Sequence, residues 1–267
     1  MKPLLFLTII ILFTATSCRK VYDFIHDHPD AHDSLCRITK VSVINVFGYP
    51  DTFNITYNLK GDPVSMLSTF PTFRIGNIDQ YYRYDRFGRL SDYMITFIKG
   101  FAAVTWHKYA YPKKDYVIDT TIAYPATDIR GPSPVAGVGS YYNVKAYSLD
   151  ARDRIVRIWS LDDPLHPQLE EEIRYDTHGN KIQSDTTLIY DDKVHPYRTN
   201  KTWQFLYNDY SQNNLILNDP ATINNQYNTF GLPIRLGNLA NHNIFLFDLT
   251  NNDGYIYISY SCSLPNY

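Results

Sequence analysis

From Ile38 onward the chain alternates apolar and polar residues in short runs, and Gly, Asp, Asn and Pro separate the runs at close intervals. Period-two alternation puts successive side chains on opposite faces of a strand, and short runs joined by turn residues describe sequential hairpins rather than helix-linked parallel strands. The pattern predicts strands at 38–47, 52–59, 65–70, 80–84, 90–98, 102–111, 116–124, 141–149, 155–160, 168–175, 181–190, 244–250 and 255–261. Residues 202–207, Thr-Trp-Gln-Phe-Leu-Tyr, fit a strand or a short helix, and Asn251-Asn252-Asp253-Gly254 reads as a tight hairpin turn. On the order of 14 to 17 strands result, and a sheet that large coils, splits or closes as twist accumulates. The expected fold is therefore all-β: an antiparallel meander of hairpins in a strongly curved or partly closed sheet, or else a two-layer sandwich.

One unit organises the pattern. In Tyr82-Arg83-Tyr84-Asp85-Arg86-Phe87-Gly88-Arg89-Leu90, Tyr82 and Tyr84 share one face of a strand and Tyr81 and Arg83 the other. Asp85 can fix a turn through its own backbone, Gly88 sits where the chain needs positive φ, and Leu90 resumes the alternation, which describes a type I turn with a glycine bulge. Weaker copies pair Tyr57 with Gly61, Leu149 with Asp153, Tyr175 with Gly179 and Tyr227 with Gly231. With one exception their spacings fall near about 26 residues or twice that, the length of two hairpin-joined strand pairs. An apolar residue comes after each turn at Val64, Leu90, Ile155, Ile182 and Ile234.

The segments Tyr84 to Leu90 and Tyr175-Asp176-Thr177-His178-Gly179-Asn180 resemble YD repeats, the units of hairpin-rich β shells in Rhs-type toxins and related surface proteins. Three further segments in order, Tyr190-Asp191-Asp192-Lys193-Val194-His195-Pro196, Asn213-Asn214 and Tyr227-Asn228-Thr229-Phe230-Gly231-Leu232-Pro233, resemble a series shared by uncharacterised YD-like lipoproteins of Bacteroidota. The resemblance covers residues 38–262 and its motifs specify structure. It implies a β-meander lipoprotein and brings no catalytic residues with it.

The first residues carry an address. Lys2, the apolar run 4–13 and Ala15-Thr16-Ser17 before Cys18 read as a lipoprotein signal over 1–17 that ends at a lipid-carrying Cys18. The run is shorter than the about 20 residues a spanning helix needs. Residues 18–36 are polar and unpatterned, a tether, and 37–267 form one β domain with a Pro/Gly-rich loop at 125–140. Arg19-Lys20-Val21-Tyr22-Asp23 lacks the acidic run of a surface-export signal, which favours the periplasmic face of the outer membrane over the cell surface. With Cys18 modified, Cys36 and Cys262 remain. In an oxidising compartment they form either a disulfide, tying the chain ends and bringing edge strands together, or two buried free thiols.

Composition agrees with strands and narrows partners. The chain has 24 Tyr and 14 Phe, which suit pleated, half-buried surfaces. A net charge of −2 offers no basic surface for nucleic acid. His26, His28 and His32 interleave with Asp27, Asp30 and Asp33, a metal-ligand composition, but on a mobile tether that does not hold a site. His107, His166, His178, His195 and His242 are scattered and read as loop or surface residues. No nucleophile elbow, phosphate loop or spaced carboxylate pair is present. No catalytic residues, metal or cofactor are expected. The expected function is a non-enzymatic binding or scaffold domain with the membrane as partner through its lipid, and an envelope protein, glycan or peptide as ligand. The alternative is a carbohydrate- or peptide-binding module beside an outer-membrane uptake system, using exposed tyrosines such as Tyr81, Tyr255 and Tyr257.

Overall fold

The structure, a computed structural model, describes residues 36–44, 50–69, 78–97, 103–125, 141–182, 188–216, 225–237 and 255–262. The signal 1–17, Cys18, the histidines of the tether, the loop 126–140, the strand 244–250, His242 and the turn Asn251 to Gly254 lie outside the described residues.

Ten strands run along the chain as a meander: β1 (Cys36–Ile44), β2 (Pro50–Tyr57), β3 (Pro63–Ser68), β4 (Ile78–Tyr84), β5 (Leu90–Phe97), β6 (Ala103–Lys113), β7 (Tyr116–Pro125), β8 (Tyr141–Leu149), β9 (Ile155–Ser160) and β10 (Gln168–Glu172). The chain then leaves the sheet through β11 (Arg174–Tyr175), β12 (Lys181–Ile182) and β13 (Ile189–Val194). A 3-10 turn (Pro196–Thr199), α1 (Lys201–Tyr207) and β14 (Asn213–Ile216) come next. It returns as β15 (Gln226–Tyr227), β16 (Pro233–Gly237) and β17 (Tyr255–Cys262). The result is an all-β meander: one 13-stranded antiparallel sheet, ordered β10 to β1 and then β17, β16, β15, with two small hairpin sheets β11–β12 and β13–β14. Among the described residues the sheet does not close, and its edges are β10 and β15.

The five turns of the repeated unit share one hydrogen-bond set. The side-chain oxygen of the first residue, Asn58, Asp85, Asp150, Asp176 or Asn228, accepts from the N–H groups two and four residues on. The backbone N–H of that residue donates to the carbonyl four residues later, and its own carbonyl accepts from the positive-φ residue. Gly61, Gly88, Gly179 and Gly231 have φ between 75° and 93°, and Asp153 takes the same region at 58°.

A second interaction joins each hairpin to a later element, and nothing in the spacing announced it. Two residues after every positive-φ position, a backbone carbonyl accepts from a tyrosine hydroxyl. Tyr84 donates to Pro63 (2.8 Å), Tyr111 to Leu90 (2.8 Å), Tyr175 to Ile155 (3.3 Å), Tyr190 to Lys181 (2.7 Å) and Tyr260 to Pro233 (2.9 Å). Burial pushes the Tyr190 hydroxyl up to about 12, so it stays a donor at neutral pH. The common position is thus Pro63, Leu90, Ile155, Lys181 and Pro233, one residue earlier than the apolar residue expected in three copies. Leu149, the one non-aromatic member, comes after the hairpin β6–β7, whose two-residue turn lacks the motif and offers no such carbonyl. At two junctions an arginine completes the arrangement. Arg89 and Arg154 pair with Asp85 and Asp150, and their guanidinium groups lie 4.2 and 4.0 Å from the centroids of Tyr111 and Tyr175.

One face of the sheet is covered. Ile38, Val41, Phe53, Met66, Tyr82, Tyr93, Ile256 and Ile258 form its core with Trp203 of α1 and Tyr197 of the 3-10 turn; Trp203 is fully buried. A second cluster of Val117, Tyr147, Ile155, Ile158 and Ile173 packs with Tyr210 just beyond the helix. Residues 202–207 are helical because Asn200 caps them, its side chain accepting from Thr202 N–H, while its amide donates to Gly61 O and docks the helix on the first turn. Tyr84 and Thr202 also share a hydroxyl contact at 3.0 Å.

Three expectations are corrected. The run 168–175 is not one strand: Ile173 turns into the second core cluster, so β10 ends in the sheet and β11 begins a separate hairpin. The run 181–190 likewise does not keep one partner: Lys181–Ile182 pairs with β11 and Ile189–Val194 with β14, while 183–187 lie outside the described residues. Cys36 and Cys262 are disulfide-bonded, but they do not join edge strands, because β1 and β17 are neighbours inside the sheet with Cys36 opposite Cys262. Linking residues 226 positions apart still constrains the unfolded chain, by up to about 4–5 kcal/mol in the chain-entropy account.

Two outcomes test the turns. A Cβ at Gly88 meets nothing within 4 Å, so a substitution there reports backbone conformation alone. Gly88→Val is expected to lower unfolding stability by about 1–3 kcal/mol and Gly88→Asn by much less, measured by urea denaturation; equal losses would contradict a conformational role. Tyr111→Phe removes only the hydroxyl on Leu90 O and is expected to lower stability by about 0.5–1.5 kcal/mol. An unchanged midpoint would mean that the tyrosine bond contributes nothing.

Candidate functional site: the open face of the sheet

Two places hold more chemistry than the fold's frame requires. The first is a polar cluster on the covered face. Asp119 is 2% exposed; it accepts from Tyr147 Oη–H at 2.9 Å, and His107 Nδ1 lies 3.0 Å from its Oδ2. A carboxylate only accepts, so His107 carries its proton on Nδ1 in this contact. Thr121 Oγ1 is 3.0 Å from the same nitrogen. The imidazole stacks on Tyr93 and Tyr109, with centroids 5.4 and 6.2 Å away. Burial, reinforced by the Asp119 carboxylate, holds the Tyr147 hydroxyl far above its ordinary range. The Nδ1-to-carboxylate orientation is that of a general base, but among the described residues no hydroxyl or thiol hydrogen-bonds His107 Nε2. These contacts satisfy a buried carboxylate.

His107 is therefore a strand residue rather than the loop residue the sequence suggested, and His195, in the link between β13 and the 3-10 turn as expected of a loop residue, is not at the surface. His107 lies inside β6, and His195 is 6% exposed, with Nε2 3.6 Å from Asp209 Oδ2. His166 and His178 are exposed. Among the described residues no group of three or more His, Cys, Asp or Glu is placed to hold a metal ion.

The second place is the face opposite the core. Register carries one row of side chains straight across five strands: Tyr81 (β4) pairs with Met94 (β5), Met94 with Trp106 (β6), Trp106 with Ile122 (β7), and Ile122 with Tyr142 (β8). All point away from the covered face, since Tyr82, Tyr93 and His107 occupy the alternate positions. Met94 is 1% exposed between its aromatic neighbours, whereas Tyr142 is 53% exposed. Trp106 is held in place: its indole N–H donates to Asp92 Oδ1 at 3.0 Å, Asp92 Oδ2 accepts from Ser91 at 2.7 Å, and Lys108 Nζ lies 4.8 Å from the ring centroid. The adjoining row is polar, running Arg83, Asp92, Lys108 and Thr120 in register. Beyond it Ala110, Ile118, Ala146, Trp159 and Leu169 form a second apolar row.

The sequence marks Tyr81 as a residue opposite the core, whereas Trp106, Ile122 and Tyr142 emerge only with the register. Their signal lies in the alternation, because each is out of phase with the inward residues of its own strand. Tyr255 and Tyr257 also lie on the open face, with Arg235 3.7 Å from the Tyr255 centroid. The five turn residues and the Cys36–Cys262 bridge serve the frame rather than this surface. In comparison with known proteins, no family model and no curated protein matches the chain.

The polar cluster generates its own test. If it is structural, Asp119→Ala strands the Tyr147 and His107 donors and is expected to lower stability by about 1–3 kcal/mol, read by urea denaturation. A variant that unfolds at the same midpoint would return Asp119 to the candidates for chemistry.

Proposed function

We propose that this chain is a non-enzymatic binding domain of the bacterial cell envelope, carried on the periplasmic face of the outer membrane by a lipid on Cys18, with the open face of β4–β8 as its contact surface. The observation that carries the reading is the row Tyr81, Met94, Trp106, Ile122 and Tyr142, an apolar band facing outward on strands whose backbone groups are already paired on both sides. Bands of this kind, rimmed by polar groups, mark interaction surfaces. The lipobox at Ala15-Thr16-Ser17-Cys18 supports the address, and the resemblance to YD-like lipoproteins agrees with it. Cys36 opens the first strand, so a tether over 18–35 joins the domain at the end where the repeated turns lie.

The anchor and the surface have separate tests. Acyl chains contribute about 0.8 kcal/mol per buried CH₂, so Cys18→Ala is expected to leave the precursor uncleaved or to release the domain from membranes. Unchanged processing and fractionation would exclude lipidation. For the surface, a photo-crosslinking residue at Tyr142 or Thr120 is expected to capture an envelope component in intact cells, while the same residue at the exposed Glu171 does not. Equal labelling at all three positions would remove the open face from consideration.

A further inference from the structure

We infer that the open-face row is a platform for a single extended, uncharged glycan chain lying across strands β4 to β8. This rests on the reading of that face as a binding surface, and six features of the face select the ligand. Aromatic rings occupy alternate strands, Tyr81 on β4, Trp106 on β6 and Tyr142 on β8, with the smaller Met94 and Ile122 between them. Strands lie about 4.8 Å apart, so successive rings recur about every 10 Å, close to the length of a disaccharide in an extended β-linked chain. Every second sugar ring can then lay its apolar C–H face on an aromatic ring.

The neighbouring row supplies what sugar hydroxyls need. Arg83, Lys108 and Thr120 run parallel to the aromatic row, with Asp92 between them already engaged by Trp106 and Ser91. Arg83 and Lys108 on the face are balanced by Asp79 and Asp92, so its field matches an uncharged chain rather than an anionic one. An extended peptide is disfavoured for a different reason. Peptides on sheets gain affinity by pairing with a free strand edge, and β4 to β8 are each bonded on both sides. Trp106 is fixed before any ligand arrives by its bond to Asp92, which reduces the ordering cost of binding. Finally, neighbouring strands rotate by roughly 20–25°, so the three rings do not share a plane, which suits one soluble chain rather than a flat crystalline surface.

The test is affinity electrophoresis of the full domain in gels containing hydroxyethyl cellulose, mixed-linkage β-glucan or galactomannan, with polygalacturonate as the anionic comparison. Calorimetry with neutral oligosaccharides of two to eight units completes it. Retardation by at least one neutral polymer is expected, weakened tenfold or more in Trp106→Ala and in Tyr142→Ala. Tyr142 is exposed enough for its variant to fold, and Leu165→Ala, in the exposed link between β9 and β10, is expected to bind as the parent does. Affinity is expected to rise with chain length until the chain spans about 20 Å, four strand spacings, and then to level off. Retardation by polygalacturonate alone, no retardation at all, or binding indifferent to both row variants would overturn the inference. A protein captured by the Tyr142 crosslinker without glycan binding would overturn the glycan while leaving the surface. Loss of both would remove the surface as well.

Discussion

Hydroxyl-to-carbonyl bonds from Tyr84, Tyr111, Tyr175, Tyr190 and Tyr260 hold the five hairpins of the repeated unit to later elements of the chain, and the long sheet depends on that coupling. A hairpin with a good turn specifies its own two strands but nothing about the next pair. Here each turn leaves one carbonyl, two residues past the positive-φ position, and a tyrosine from a later element reaches back and donates to it. Turn and tyrosine thus act as socket and plug. The exception supports the account: where β6–β7 turns without the motif, the next unit carries Leu149, which has no hydroxyl and bonds that turn through its backbone N–H, donated to Asp115 O, instead. Arg89 and Arg154 tighten the same joints by bonding the turn carboxylate and lying over the tyrosine ring. Burial is the largest single influence on the Asp85 and Asp150 carboxyls and raises them, but the backbone and side-chain donors and the paired arginines together outweigh it and hold both below their ordinary range.

What could be read from the chain divides along the range of the interactions involved. Alternation and turn chemistry are local, so the strands from 38 to 160 and the five positive-φ positions were legible to within a few residues. The break at Ile173 was not, because Gln168 to Tyr175 alternates acceptably as a strand and only the pocket between Val117, Tyr147 and Tyr210 draws the isoleucine out of it. Helix against strand at 202–207 was undecidable for the same reason. Asn200 is a competent N-cap, yet what holds the segment helical is Trp203 filling the space against Tyr82 and the Asn200 bond to Gly61, both long-range. His107 belongs with these cases: nothing within its local run says that Asp119 lies on the adjacent strand, opposite Tyr109.

The placement of β17 decides what kind of object the sheet is. A meander whose last strand joined its last edge would remain a ribbon. Instead β17 pairs with β1 along seven residue positions, which puts the first and last described strands in mid-sheet and locks them there with Cys36–Cys262. Both edges are then internal segments of the sequence. One of them, β10, is exposed throughout and carries Glu170, Glu171 and Glu172, each paired with a Lys or Arg. Charge on an edge discourages a further strand from adding to it, so the open sheet stops at β10 without closing into a barrel.

The two halves of the open face differ in a way the frame does not explain. Over β1 to β3 that face is mostly polar: Ser42 meets Thr52 at 2.9 Å and Thr56 meets Ser65 at 2.6 Å, and Lys40, Asn54 and Leu67 share it. From β4 to β8 the same row continues as Tyr81, Met94, Trp106, Ile122 and Tyr142, while the backbone ladder beneath it is unchanged. Folding does not call for the change, since threonine serves a strand as well as tyrosine does and the first half shows the same chain using it. An isolated exposed aromatic needs no explanation, but three in register on alternate strands, one of them pinned by a carboxylate, is an arrangement rather than a scatter. The switch from hydroxyl to ring therefore points outward, to whatever the face meets.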